Sequence, residues 1–197
     1  MFTGLIEETG KLRSVKAGEI TVFCGKILED MKTGDSVSIN GVCLSAAVIH
    51  QDSVSFHVSP TTARLSRFNP GDIRAGEMIN LERAVMPQTR LGGHIVTGHI
   101  DGVASVIDIK KSGADFFFEI LTPAEIKKLI IPKGSVAIDG ISLTISHVLS
   151  GSFTVTVIPQ TFKDTNLREK KIGDKMHIEA DLFARYVFHI LNGGSVR

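Results

Sequence analysis

Two histidines and an aspartate fall close together in Gly92-Gly93-His94-Ile95-Val96-Thr97-Gly98-His99-Ile100-Asp101-Gly102. An imidazole neutral near physiological pH can take up or release a proton, so His99 is a candidate for proton transfer, with a structural hydrogen bond as the plain alternative. A metal shell would need a further Cys or His cluster, and none completes one. Cys43 and Ser45 follow the turn dipeptide Asn40-Gly41, and Ser142 and Thr144 follow Asp139-Gly140. Residues two apart on a strand share a face, so each pair would offer two small polar groups to a flat heterocycle. Cys43 could also be a nucleophile. Nothing near it in sequence would lower its pKa, and a small buried residue is the blander reading. His57, His147, His177 and His189 lie on strand or helix patterns and read as structural.

These groups come in duplicate because the chain does. Phe2-Thr3-Gly4-Leu5-Ile6 returns as Val96-Thr97-Gly98-His99-Ile100, and Asn40-Gly41-Val42-Cys43-Leu44-Ser45 as Asp139-Gly140-Ile141-Ser142-Leu143-Thr144. Val58-Ser59-Pro60-Thr61-Thr62 returns as Val157-Ile158-Pro159-Gln160-Thr161, and the Gly76 to Glu82 stretch as Gly173 to Glu179. A period of 94–99 residues is a duplicated domain, not a solenoid. Two like domains offer two like pockets, which suits a task involving two copies of one small molecule.

The elements that must position these residues are short strands bounded by Gly, Asn, Asp and Ser. In the first half they are expected over 2–6, 20–23, 36–39, 44–49, 54–58 and 78–81. In the second half they are expected over 103–109, 116–121, 136–138, 143–148, 153–158 and 176–178. Such a density of strands and turns predicts an all-β chain of two small closed barrels, over 1–94 and 95–180, with 84–93 as the linker. Short helical signals open at Pro60 and Pro123. A distinct amphipathic helix follows in the segment 181–197: Leu182, Phe183, Tyr186, Val187, Ile190 and Leu191 share one face, Asp181 is its N-cap, and Gly193-Gly194 stops it. Either this face docks on its own barrel or it contacts another subunit.

Composition narrows the function classes. The net charge of +1 has no concentrated basic patch behind it, which argues against nucleic-acid binding. No apolar run is long enough for a membrane span, the opening residues lack a secretory pattern, and two cysteines make no disulfide framework. A cytoplasmic location is expected. No GxGxxG or GxxxxGK loop is present, so nucleotide cofactors gain no support.

With its opening Met1-Phe2-Thr3-Gly4-Leu5-Ile6-Glu7, both hairpin motifs and the 92–102 stretch, essentially the whole chain resembles the riboflavin synthase family. Those enzymes are built from two lumazine-binding repeats. The resemblance implies six-stranded Greek-key barrels, a homotrimer held by C-terminal helices, and sites between barrels of neighbouring subunits. It implies a transferase reaction that ends riboflavin biosynthesis, with lumazine synthase as pathway neighbour. Two 6,7-dimethyl-8-ribityllumazine molecules per site exchange a four-carbon unit, giving riboflavin and 5-amino-6-ribitylaminouracil without cofactor or metal. Carried over, the first-barrel pocket would use Gly4, Leu5, Ile6, Cys43, Leu44, Ser45, His57, Val58, Ser59, Pro60, Thr61 and Thr62. The second would use Gly98, His99, Ile100, Ser142, Leu143, Thr144, Val157, Ile158, Pro159, Gln160, Thr161 and Phe162. Lys133 would reach a neighbouring subunit's ligand and Asp181 the ribityl chain, while Phe2, Ser36, Cys43 and His99 match residues tied to turnover. Ser45 stands where Thr is expected, which keeps the hydroxyl. The 57–61 stretch departs from the charged version of some relatives and leaves the roles of His57 and Thr61 open. The related lumazine proteins, which hold a chromophore without turnover, are the rival class.

Overall fold

Turn dipeptides and period-two segments set the architecture. In the computed structural model, which describes residues 1–193, the first half forms β1 (Glu8–Lys16), β2 (Glu19–Phe23), β3 (Ser36–Ile39), β4 (Val42–Ile49), β5 (Ser53–His57), α1 (Pro60–Leu65) and β6 (Met78–Arg83). The second half repeats this order as β7 (Gly102–Ser112), β8 (Asp115–Leu121), β9 (Ser135–Ile138), β10 (Ile141–Val148), β11 (Ser152–Val157), α2 (Pro159–Asp164) and β12 (Lys175–Ala180). Helix α3 (Leu182–Leu191) follows. Gly194 and the rest of the 181–197 tail, residues 194–197, lie outside the described residues. Hydrogen bonding closes each half into a six-stranded antiparallel barrel, in the orders β1-β2-β5-β4-β3-β6 and β7-β8-β11-β10-β9-β12. The return of β6 beside β3 after the β3-β4-β5 meander is a Greek key.

Alternation sorts the side chains. On β4, Val42, Leu44 and Ala46 point into the barrel, while Cys43 and Ser45 point out. On β10, Ile141, Leu143 and Ile145 point in, and Ser142 and Thr144 out. The first core gathers Leu12, Ile20, Val37, Phe56 and Leu81; the second gathers Val106, Phe118, Val136, Phe153 and Ile178.

The expected strand at 2–6 is not a barrel strand. Only Phe2 pairs, in an isolated antiparallel bridge with Val96. The true first strand is β1, whose alternation is masked by charged residues and broken by a register shift between Leu12 and Ser14. The segment opening at Pro123 becomes a 3-10 turn over Ala124–Leu129 instead of an α-helix.

The barrels meet about an approximate internal twofold. Phe2 N–H donates to the Val96 carbonyl at 2.8 Å, and Val96 N–H to the Phe2 carbonyl at 3.1 Å. The hairpin turns abut beside them. Asn40 and Asp139 both have φ of 44°, and Gly41 and Gly140 both 80°, the type I′ pattern that Asn-Gly and Asp-Gly favour. A Cβ on Gly41 would lie 2.7 Å from the Gly140 nitrogen, so neither turn accepts a side chain there.

A buried polar network seals the junction. Asn80 on β6 donates through Nδ2 to the Asp139 carbonyl and accepts from the Asn166 N–H. Its repeat counterpart on β12 is His177, whose Nε2 accepts from the Arg67 N–H at 2.9 Å and whose Nδ1 lies 2.8 Å from the Asn40 carbonyl. That pairing fixes the neutral tautomer protonated on Nδ1. Asp139 also accepts from Asn166 and from the Lys170 ammonium. Burial alone would raise the Asp139 pKa, but Lys170 and the hydrogen bonds around it hold the carboxyl below its usual range. Burial pushes His177 below its ordinary 6.5, although Asp139 opposes the shift; Arg67 and Lys170 reinforce it.

The sign follows from linkage. A histidine depressed in the folded state binds its proton more readily when unfolded, so this stability is present above about pH 6.5 and drains away below it, by at most about 1.4 kcal/mol per pH unit. Asp139 acts in the same direction, in a lower window. His177→Asn, which copies Asn80, is therefore expected to flatten the melting temperature between about pH 6.5 and 5. An unchanged pH dependence in thermal unfolding would contradict this.

Candidate active site

The outward faces of β4 and β10 carry the polar pairs, and the internal twofold decides what lies against each. Cys43 N–H donates to the Gly98 carbonyl at 2.9 Å, and Ser142 N–H donates to the Gly4 carbonyl at 2.9 Å. Each opening segment therefore crosses to the other barrel. Ile6 packs on the second core and Ile100 on the first. This corrects the expected grouping: Gly4, Leu5 and Ile6 border the Ser142 face, while Gly98, His99 and Ile100 border the Cys43 face. The approach is close. A Cβ on Gly98 would lie 2.7 Å from the Cys43 nitrogen, and one on Gly4 2.6 Å from the Ser142 Cβ.

On the first face, Ser36 pairs across the strands with Ser45, and Ser38 with Cys43. Cys43 is half-buried and Ser45 exposed. His99 is exposed; its backbone N–H reaches Thr97 Oγ1 at 3.3 Å, and among the described residues its imidazole makes no hydrogen bond. Phe2 is 1% exposed and packs with Val96, Ala137 and Cys43, so it supports Cys43 from behind. His57 is exposed at the end of β5, and Ser59 caps α1 by accepting from the Thr62 N–H at 3.1 Å. Pro60 and Thr61 are exposed on the first turn of α1.

On the second face, Thr144 is exposed, and Ser142 Oγ lies 2.7 Å from His94 Nδ1. Ile158, Pro159 and Gln160 are exposed around the start of α2. The Thr161 carbonyl accepts from the Thr165 hydroxyl, and Phe162 stacks on Phe116. Asp181 caps α3 by accepting from the Phe183 N–H at 2.7 Å.

Several expected residues are placed elsewhere. The side chains of Leu44, Val58, Leu143 and Val157 are buried in the cores; Leu44 and Leu143 lie one residue out of phase with the polar pairs on their strands. Lys133 is exposed in a turn with φ of 64°, its N–H bonded to the Ile145 carbonyl. A cavity of about 470 Å³ opens beside Ser36, Thr3, Leu5 and Arg83, yet includes neither Cys43 nor His99. The polar faces themselves are open to solvent.

His94, which is not among the expected site residues, also stands on the second face. Burial lowers its pKa, although the charges of Asp181 and Glu179 act to raise it, so the ring is held neutral against the Ser142 hydroxyl. Gly92-Gly93 beside it was the available signal. A Cβ on Gly93 would collide with the Thr3 carbonyl and lie 2.8 Å from Ser142, which marks a tightly packed approach.

Comparison with known proteins supplies the family. The lumazine binding domain matches twice, at residues 3–84 and 97–181, which defines a two-repeat lumazine-binding protein. Riboflavin synthase of Bacillus subtilis (strain 168) is 37% identical over 98% of this chain and 90% of its own length. That of Actinobacillus pleuropneumoniae is 40% identical (97% and 90%), and that of Schizosaccharomyces pombe 38% (94% and 91%). The chain belongs to the riboflavin synthase family. In fold it is similar to LumP complexed with riboflavin, with a TM-score of 0.83 at 24% identity, covering 91% of this chain and 99% of that one.

Proposed function

We propose that this chain catalyses the dismutation of two 6,7-dimethyl-8-ribityllumazine molecules to riboflavin and 5-amino-6-ribitylaminouracil, the last step of riboflavin biosynthesis. The carrying observation is the duplicated polar face, Cys43 with Ser45 and Ser142 with Thr144, each bordered by the other repeat's opening segment. One lumazine loses a proton from its C7 methyl group, the other accepts a nucleophile, and a four-carbon unit passes between them. The two products together hold the atoms of the two substrates. Holding two flat rings face to face supplies an orientation term of up to roughly 7–11 kcal/mol. His99 transfers the proton, and Ser36 and Cys43 assist addition; nearby hydroxyls and backbone N–H groups stabilise the developing anion. A carrier without turnover is disfavoured by the retention of Ser142, Thr144, Pro159, Thr161 and His99.

The open faces need a second surface to exclude water, which a neighbouring subunit of a homotrimer supplies, with Lys133 reaching across. Helix α3 supports this assembly. Phe183, Tyr186 and Ile190 are 65%, 61% and 71% exposed on one stripe, while Arg185 on another side pairs with Asp101 at 2.8 Å. Tyr186→Glu with Ile190→Glu is expected to yield monomers in sedimentation velocity and to abolish turnover; an intact trimer would remove α3 from the contact. No helix among the described residues is long and apolar enough to cross a membrane. The two free cysteines, Cys24 and Cys43, suit the reducing cytoplasm.

The test is incubation of the purified protein with 6,7-dimethyl-8-ribityllumazine in chelator-treated buffer, following riboflavin fluorescence and pyrimidine release. One riboflavin per two lumazines consumed is expected. Tight binding without product would make the chain a carrier.

A further inference from the structure

Each barrel ends in a buried carboxylate that grips a crossing segment. On β6, Glu82 Oε1 accepts from the Thr3 N–H and hydroxyl, both at 2.7 Å, and Oε2 accepts from the Gly4 N–H at 3.0 Å. On β12, Glu179 Oε1 accepts from the Thr97 N–H at 2.8 Å and hydroxyl at 2.6 Å, and Oε2 from the Gly98 N–H at 2.9 Å. Both carboxylates are 3% exposed. The chain then continues alike: Thr3 Oγ1 accepts from the Leu5 N–H, and Thr97 Oγ1 from the His99 N–H. The two clamps are the same device, and only what they hold differs. One presents an alkyl side chain and the other an imidazole.

We infer that Glu179 is a positioning residue for His99, and that Glu82 is its matched counterpart with no part in proton transfer. The inference rests on the proton-transfer reading of His99. Among the described residues the imidazole makes no hydrogen bond, so its place beside the Cys43 face is set by the backbone of Thr97 and Gly98. That backbone is fixed by Glu179 on one side and by the Gly98 carbonyl bond to Cys43 on the other. A misplacement of about 1 Å can cost on the order of a hundredfold in rate, so such a clamp has leverage without touching substrate.

The duplication supplies the control. In Glu179→Gln and Glu82→Gln, one acceptor oxygen becomes an amide NH2 facing a backbone N–H, so both variants lose the same kind of contact. Equal falls in melting temperature are expected. In the native background E179Q is expected to lose at least about tenfold more kcat than E82Q, with KM changed alike in both. In a His99→Ala background the excess is expected to vanish. Thr97→Val against Thr3→Val repeats the comparison with only the hydroxyl link removed, should the glutamine variants fold poorly. Equal kcat losses in the native background, or an excess that persists without His99, would overturn the inference alone. Full kcat in H99A would overturn the reading it rests on, and the inference with it.

Discussion

His99→Ala is expected to lower kcat by about 10²–10⁴ at saturating substrate, the range typical of a lost general acid or base. The imidazole is exposed, makes no hydrogen bond among the described residues, and stands at the edge of the face formed by Cys43, Ser45 and Ser36. Its removal leaves no unsatisfied partner, so melting temperature is expected to stay within about 2 °C, as for a surface substitution. A structural imidazole would behave in the opposite way, losing stability with little loss of turnover. Steady-state kinetics with a melting curve on the same preparation separates the two, and a kcat loss below about threefold would end the assignment to proton transfer. His99→Gln sharpens the test, since it retains a donor and an acceptor but cannot exchange a proton at neutral pH.

Gly98→Ala carries the largest combined effect. Gly98 has φ of 79°, where an L residue with a Cβ is strained by roughly 1–2 kcal/mol. The added methyl would also collide with the Cys43 side chain and lie 2.7 Å from its backbone nitrogen. Neither neighbour can yield cheaply. The Cys43 backbone is held in the β3–β4 ladder, and Phe2 backs its side chain. The expected cost is about 3–5 kcal/mol, seen as a melting temperature lower by on the order of 10 °C and a loss of turnover beyond what unfolding explains. Gly4→Ala meets Ser142 in the same way and is expected to cost similar stability, with less effect on kcat because it carries Leu5. A Gly98→Ala protein melting within about 3 °C of the native one would show that the crossing segment can shift without harm.

How far the sequence could be read is clear from particular residues. The Asn40-Gly41 and Asp139-Gly140 turns announced two hairpins and their strands, because positive φ at both positions is a local demand. Strand β1 leaves little local trace because a register shift and its charged outer face hide the alternation of Leu12 with its neighbours. Residues 2–6 looked like a strand because Phe2 and Ile6 are apolar. They are apolar for another reason: Phe2 fills the junction and Ile6 packs on the opposite barrel. His94 leaves no such local record because its partner, Ser142, is far away in sequence.

What the sequence determined by itself is the duplication, the two barrels and the identity of the polar pairs. Repeat spacing, period-two alternation and turn chemistry all act between residues a few positions apart, and so leave a local record. Only the tertiary structure decided which segment lies against which polar face. The bridge of Phe2 with Val96 and the backbone bonds of Gly4 with Ser142 and of Gly98 with Cys43 lay each opening segment against the other barrel, while Glu82 and Glu179 tie it to its own. Such an exchange preserves every local preference and changes only which distant surfaces touch. No periodicity along one chain distinguishes a segment packed on its own barrel from one packed on its twin.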